Sequence, residues 1–470
     1  MLIDYSGTLG TFSLSFGILT RRIVMLLSRI KFIVVGLLFL NLAHAAPGQP
    51  FPAEAWQRKA VGFAIGLYYL KIPATDPAKA ARTLAADKRF ALKIVDKLDK
   101  TAQSQALLSA NFSSNVAKEY APPSIDSLRY FGRGLSQEQA LALQKAPRAL
   151  ILGFAHPSQQ KTSGLRRAEE FILELAKQED AIIWDDETRE AFTPEAWEKN
   201  RLRTWEGGIP NVSKQIVIHA YNNAGRTRAI SLGMARLGLP DLVINDSVWS
   251  LNRPLGNTIN ALAQQLVEAG PPDDKGALYL KIAGLRHVGI RNSLSEGILS
   301  GGKGEGRLRL LETVAEAGDP ANALAVLSFD SYPGRDVTEH QTNFVIAVFG
   351  AEPDEVVYTK HDAALRAASA HARAQLPALQ KAFLSGLTPG EHLLVKAPFT
   401  TRDNGREWMW IEVTEWTGDQ IKGMLRSDPR NVPGLKAGQM VGAHQSDLFD
   451  YLRVFPDGRT AGNETSKLLK

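Results

Sequence analysis

Arg148–Ala155 reads RALILGFA, and the segment behind it, Leu165–Lys177, places Leu165, Ala168, Phe171, Ile172 and Leu175 at helical spacing. An unbroken apolar run of that length is a buried strand, and apolar positions three and four apart mark a helix lying on it. Asp180–Trp184 and Gln215–Tyr221 have the composition of further strands, the second ending at the turn Asn222-Asn223-Ala224-Gly225. A strand near Leu242–Ile244, a helix Thr258–Glu268 and a strand Ala277–Ala283 follow. The order is close to β-α-β-β-α-β, a ferredoxin-like split arrangement with helices on one face of an antiparallel sheet. The spacing therefore predicts an α+β chain.

Working outward, Gly62–Ile72 is an apolar, aromatic-rich strand bounded by Pro73. A helix then opens at Thr75 or Asp76 with Pro77 in its first turn, and another at Ser136, where Gln139 completes a capping box. Downstream, the Gly-rich stretch Gly297–Gly306 is a loop. A helix Arg307–Ala317 and strands Ala323–Phe329 and Asn343–Phe349 are expected after it. An Ala-rich helix, Asp362–Ser385, leads into a tail of alternating strands and turns. Five units result: 1–45, an N-terminal α+β region 46–146, the ferredoxin-like domain 147–290, a connecting segment 291–361, and a C-terminal domain 362–470.

The first 45 residues read as a signal peptide. Phe32–Ala43 (FIVVGLLFLNLA) is a short apolar run behind Arg29 and Lys31, and Ala43-His44-Ala45 offers a cleavage site before Ala46. Met25 gives a conventional start. The run is too short to span a bilayer, which takes about 20 apolar residues. No stable membrane anchor is expected after cleavage, and the compartment implied is periplasmic or extracellular. The chain has no Cys, so lipidation on cysteine, disulfides and thiolate metal sites are excluded. Of the net charge of +6, Arg21, Arg22, Arg29, Lys31 and Asp4 carry +3, and the last 80 residues balance acids against bases. That leaves no concentrated basic face for nucleic acid.

Motifs that carry chemistry are few. Gly297-x4-Gly302-Lys303 lacks the Ser or Thr that a phosphate-binding loop needs next, having Gly304 instead. The histidines fall in no metal-binding spacing, and no cofactor or metal is expected. Asp185, Asp186 and Glu187 close the strand Asp180–Trp184 and could serve as acid–base carboxylates or hold a hard cation. Adjacent acids at a strand end are more often a solvated turn.

Three of the eight Trp lie within nine residues of the tail. On Glu407–Trp416 the period of two puts Trp408, Trp410, Glu412, Thr414 and Trp416 on one face and Met409, Ile411, Val413 and Glu415 on the other. Were Met409, Ile411 and Val413 the core, the indoles would stand outside, free to stack on sugars or clasp a peptide. The commoner arrangement makes the Trp face the core of a small barrel. Thr417-Gly418-Asp419-Gln420 forms a hairpin turn, and Gly423 and Gly438 sit where the backbone bends or approaches closely. A helix plus a small, bent antiparallel sheet, a partly open barrel, is the expected tail fold.

The tail resembles the YegJ-like domain, a family of small bacterial proteins of unknown function. The matching residues are His392-Leu393-Leu394-Val395-Lys396-Ala397-Pro398-Phe399, Glu407-Trp408-Met409-Trp410-Ile411-Glu412-Val413, Ile421-Lys422-Gly423-Met424-Leu425, Leu435-Lys436-Ala437-Gly438-Gln439 and Gly462-Asn463-Glu464-Thr465. Asp450-Tyr451 stands where family members tend to have Asp-Trp. The middle region, including Phe192-Thr193-Pro194-Glu195-Ala196-Trp197, resembles extensions found beside that domain. The resemblance implies an architecture and no catalytic residues.

The expected role is a non-enzymatic binding module of the cell envelope, recognising a protein or wall glycan through Trp408, Trp410, Glu412 and Trp416. The alternatives are an envelope hydrolase working through Asp185–Glu187 and a structural assembly component.

Overall fold

A computed structural model describes residues 48–52, 56, 58–223, 226–248, 251–272, 276–350, 363–427, 429–465 and 468. The expected signal peptide, the Ala224-Gly225 part of the turn and the expected domain boundary between residues 361 and 362 lie outside them. The chain is α+β, with three main sheets among the described residues, none closed into a barrel.

The first sheet is built on β1 (Ala60–Tyr69), every residue of which is buried. Its neighbours are β3 (Arg148–Pro157) and β4 (Ile182–Asp185), both antiparallel to it. Outside these lie β2 (Leu107–Ser113) and β5 (Glu190–Phe192), and two-residue strands close each edge. The expected caps form: Asp76 accepts from the Ala78 N–H at the start of α1 (Pro77–Ala85), and the Ser136/Gln139 box opens α3 (Gln137–Leu143). Before α3 comes the short α2 (Ile125–Phe131). Helix α4 (Lys161–Gln178) buries Leu165, Ala168, Phe171, Ile172 and Leu175 on the sheet, the face that the periodicity marks.

The second sheet runs β6 (Val217–Asn223), β7 (Arg226–Leu232), β8 (Asp241–Ser247), β11 (Leu324–Ser328), β10 (Glu305–Glu312), β9 (Ala277–Lys281). The strands of the expected split unit are thus shared between two sheets, β3 and β4 in the first, β6, β8 and β9 in the second. Helix α5 (Asn252–Ala269) packs on the second sheet and buries Leu255, Ile259, Leu262 and Leu266. One apolar cluster runs through both sheets, from Phe51 to Phe349.

Two elements differ from expectation. Arg307–Ala317 is not a helix: Gly306, Leu308 and Leu310 alternate inward along β10, while Arg307 and Arg309 face the other way. Asn343–Phe349 is not a strand but the end of α6 (Val337–Phe349). There Phe344, Val345, Val348 and Phe349 are buried at helical spacing, and Asp336 caps the start. The Gly-rich loop has a structural task. The N–H groups of Leu299, Lys303 and Gly304 donate to the carbonyls of Phe349, Ala347 and Val348, at 2.7–3.0 Å. They satisfy the open end of α6, so those donors are not turned toward a phosphate.

In the tail the Ala-rich segment forms two helices, α7 (Ala363–Ala374) and α8 (Leu376–Leu384). The sheet order is β15 (Met440–His444), β14 (Gln420–Leu425), β13 (Arg406–Thr417), β12 (His392–Thr400), β16 (Asp450–Val454), β17 (Thr460–Gly462). Every adjacent pair is antiparallel. Its core is a separate cluster under α8.

Candidate functional site

The core side of the tail sheet is now fixed. Met409, Ile411 and Val413 are buried and pack with Leu393, Val395 and Leu379. The arrangement with a Trp core is therefore not the one adopted. A register shift between Val413 and Glu415 makes Thr414 a bulge, so parity changes along β13. Trp416 consequently returns to the core, 2% exposed, with its Nε1 donating to Gln445 Oε1 at 3.1 Å. Of the four residues expected on the binding face, Trp416 is structural.

Trp408 and Trp410 remain on the outer face, each half-buried. Their neighbours on β12 are set by register: Pro398 lies opposite Trp408 and Lys396 opposite Trp410. The Lys396 ammonium sits 5.6 Å from the Trp410 ring centroid, and burial pulls its pKa below the usual lysine value. Trp408 packs on Phe449 with centroids 4.5 Å apart. The result is an aromatic and proline surface with one cation at its centre. Lys396, Pro398 and Phe449 were missed in the sequence because strand register decides their place. The alternation of buried Leu393, Val395 and Ala397 on β12 was the available signal for the parity of Lys396 and Pro398.

Glu412 shares that face but is 1% exposed. Its carboxylate accepts from His392 Nδ1 at 2.8 Å and from Arg426 at 2.6 Å. Burial alone would raise its pKa, and His392 and Arg426 reverse that, holding it well below the usual range. Helix α2 covers this end of the face. Tyr130 leans over the His392 ring at 5.6 Å, Arg129 donates to the Val413 carbonyl at 2.7 Å, and Gly390 N–H donates to the Arg129 carbonyl at 2.7 Å. Arg129 and Tyr130 thus tie the tail sheet to α2, and Glu412 holds His392 in place beneath Tyr130.

The second candidate, Asp185–Glu187, is a buried charge cluster. Asp185 is fully buried and accepts from Arg236 Nη1 at 2.7 Å, from Arg236 Nη2, and from Arg201 at 2.9 Å. Burial would push its carboxyl up, but Arg236 and Arg201 outweigh that and hold it far below the carboxylate range. Glu187 takes Arg236 Nε at 2.9 Å, yet burial still lifts its pKa to about 7. Glu190 completes the set, bonded to Arg201 at 3.0 Å and Arg133 at 2.8 Å. The structure thus brings Asp185 and Glu187 together on Arg236, and Asp186 between them in sequence is half-buried. Among the described residues, no group of three or more His, Cys, Asp or Glu is placed to hold a metal ion.

No curated protein and no solved structure matches the chain. Residues 362–470, which carry the aromatic face, match the family model DUF2314, described as an uncharacterized protein conserved in bacteria.

Proposed function

We propose that this is a non-enzymatic binding protein of the bacterial cell envelope, and that Trp408 and Trp410 on the outer face of the tail sheet are its contact residues. One observation carries the reading. Met409, Ile411 and Val413 already fill the core, so two half-exposed indoles stand on the opposite face beside Lys396 and Pro398. Half-exposed Trp side chains offer large, rigid contact area to a sugar ring or an extended peptide. The YegJ-like reading of the tail rests on the same residues. Export rests on Phe32–Ala43 with the Ala43-His44-Ala45 site. A hydrolase built on Asp185–Glu187 has less support, because Asp185 and Glu187 are both gripped by Arg236.

The test is retention of the purified protein on insoluble wall glycan and on immobilised envelope proteins. One of the two should hold the wild type, and Trp408→Ala with Trp410→Ala should weaken retention at least ~10-fold. Retention by neither, or retention indifferent to both substitutions, removes the reading.

A further inference from the structure

Strand edges are templates for pairing, and proteins normally cover them. One edge strand of the second sheet, and the stretch of its neighbour that runs past it, are covered here by dedicated groups. Along β9, the Gln265 amide imitates a neighbouring strand, with Nε2 donating to the Tyr279 carbonyl at 2.9 Å and Oε1 accepting from the Lys281 N–H at 3.0 Å. Beyond the end of β9, the far half of β10 is covered by residues 48–51. Phe51 N–H donates to the Leu310 carbonyl and Glu312 N–H to the Gln49 carbonyl.

The outer edge of β15 has no such cover among the described residues. Leu425 N–H bonds to the Gln439 carbonyl and Gln445 N–H to the Asp419 carbonyl. That alternation turns the N–H and C=O groups of Met440, Gly442 and His444 away from β14. All three residues are exposed, Met440 at 46%. The strand holds no Lys, no Pro and no bulge, the usual guards of an open edge.

We infer that β15 is a self-pairing edge, and that two copies of this chain join through it, antiparallel, about a two-fold axis at Gly442. The sequence MVGAH is self-complementary in that register. Gly442 meets its own symmetry mate with no side chain in the way, and Met440 faces His444 of the second copy. On the core side Val441 faces Ala443, and both are half-buried at the end of the tail core in one copy. Pairing would carry that core across the axis and form roughly six main-chain hydrogen bonds. No charged side chain opposes another along the seam. An unrelated extended peptide would meet the same backbone groups, but nothing on the strand selects its side chains. The axis stands perpendicular to the sheet, so both Trp408/Trp410 faces would lie on one side. Five strand spacings of about 4.8 Å would separate them by roughly 24 Å. Linked faces of that kind bind a repeating polymer more tightly than one face alone; this consequence rests on the proposed function, whereas the dimer does not.

Gly442 gives a clean test, because a Cβ there meets only the Ile421 carbonyl at 3.7 Å, an ordinary contact. Light scattering on a sizing column, loaded at about 100 µM so that a complex of micromolar Kd is populated, should give twice the monomer mass for the wild type. Gly442→Lys and Gly442→Glu should each run as monomers with unchanged melting temperature, since like charges then face each other across the axis. Their equimolar mixture should recover the doubled mass. A monomeric wild type, a Gly442→Lys protein that still dimerises, or a mixture that stays monomeric would each overturn the inference.

Discussion

The guanidinium of Arg236 grips both carboxylate oxygens of Asp185, and neither side chain is exposed at all. Arg236 lies on the short helical turn Met234–Leu237 just before β8 of the second sheet, and Asp185 ends β4 of the first. The pair is therefore a joint between the two sheets. Removing one partner strands a buried charge, which costs about 3–5 kcal/mol. Asp185→Ala should lower the unfolding free energy by that amount in urea titration. A loss below about 1 kcal/mol would show the pair to be solvated.

Glu169 is fully buried on α4 and accepts from Trp205 Nε1 at 3.0 Å. Burial pushes its carboxyl up to about 7, only partly offset by Arg201 and Trp205. A carboxyl raised above its unfolded value stabilises the fold below pH 4.5, and that contribution is lost as pH climbs toward 7. Relative to Glu169→Gln, which keeps an acceptor for Trp205, the wild type should lose up to about 3 kcal/mol between pH 4.5 and 7.5. Parallel unfolding curves across that range would contradict the assignment.

His219 shows the opposite sign. Its ring lies flat on Phe131 of α2, with centroids 4.9 Å apart and planes 17° from parallel. Burial, helped by Arg189, depresses its pKa to about 3. The unfolded chain then binds a proton that the folded one refuses, so stability held above pH 6.5 is lost as pH falls from there toward 3. His219→Phe preserves the ring stack and removes the proton. The wild type should lose up to about 3 kcal/mol relative to it between pH 6.5 and 4, measured by urea unfolding at both ends.

Gly423 lies under the Glu412 carbonyl, and an added Cβ would overlap that oxygen. The strand must sit this close for the register that brings Val413 opposite Gly423 before the bulge. Gly423→Ala should therefore unfold or expand the tail, visible as loss of its amide protection in hydrogen exchange, while the amides of the first two sheets stay protected.

Local signals were the most legible part of the chain. Asp76, Ser136 and the apolar stripe of α4 depend on neighbours three or four residues away, and the structure has them as the sequence implies. Short apolar runs were ambiguous, since Asn343–Phe349 is β-rich in composition yet its buried positions follow a helical turn. In Arg307–Leu311 the opposite held: alternation of Arg and Leu was present, and its period outranks helix propensity. The site was half legible. Trp408 and Trp410 follow from period two, but a single bulge at Thr414 moves Trp416 to the core, and no local signal marks a bulge there. Sheet membership of β3, β4, β6 and β8 depends on contacts far apart in sequence, which periodicity does not encode.

Trp408 and Trp416 sit eight residues apart on one strand, on opposite sides of the tail sheet. Alanine at each, examined for unfolding free energy and for retention on wall glycan or envelope protein from the same preparation, weighs the whole account. Trp416→Ala should cost about 3–5 kcal/mol, as a buried Trp does, whereas Trp408→Ala should stay within about 1 kcal/mol of the wild type and lose retention. If Trp408→Ala unfolds the domain as deeply as Trp416→Ala, or retains every partner, the outer face is not a binding surface.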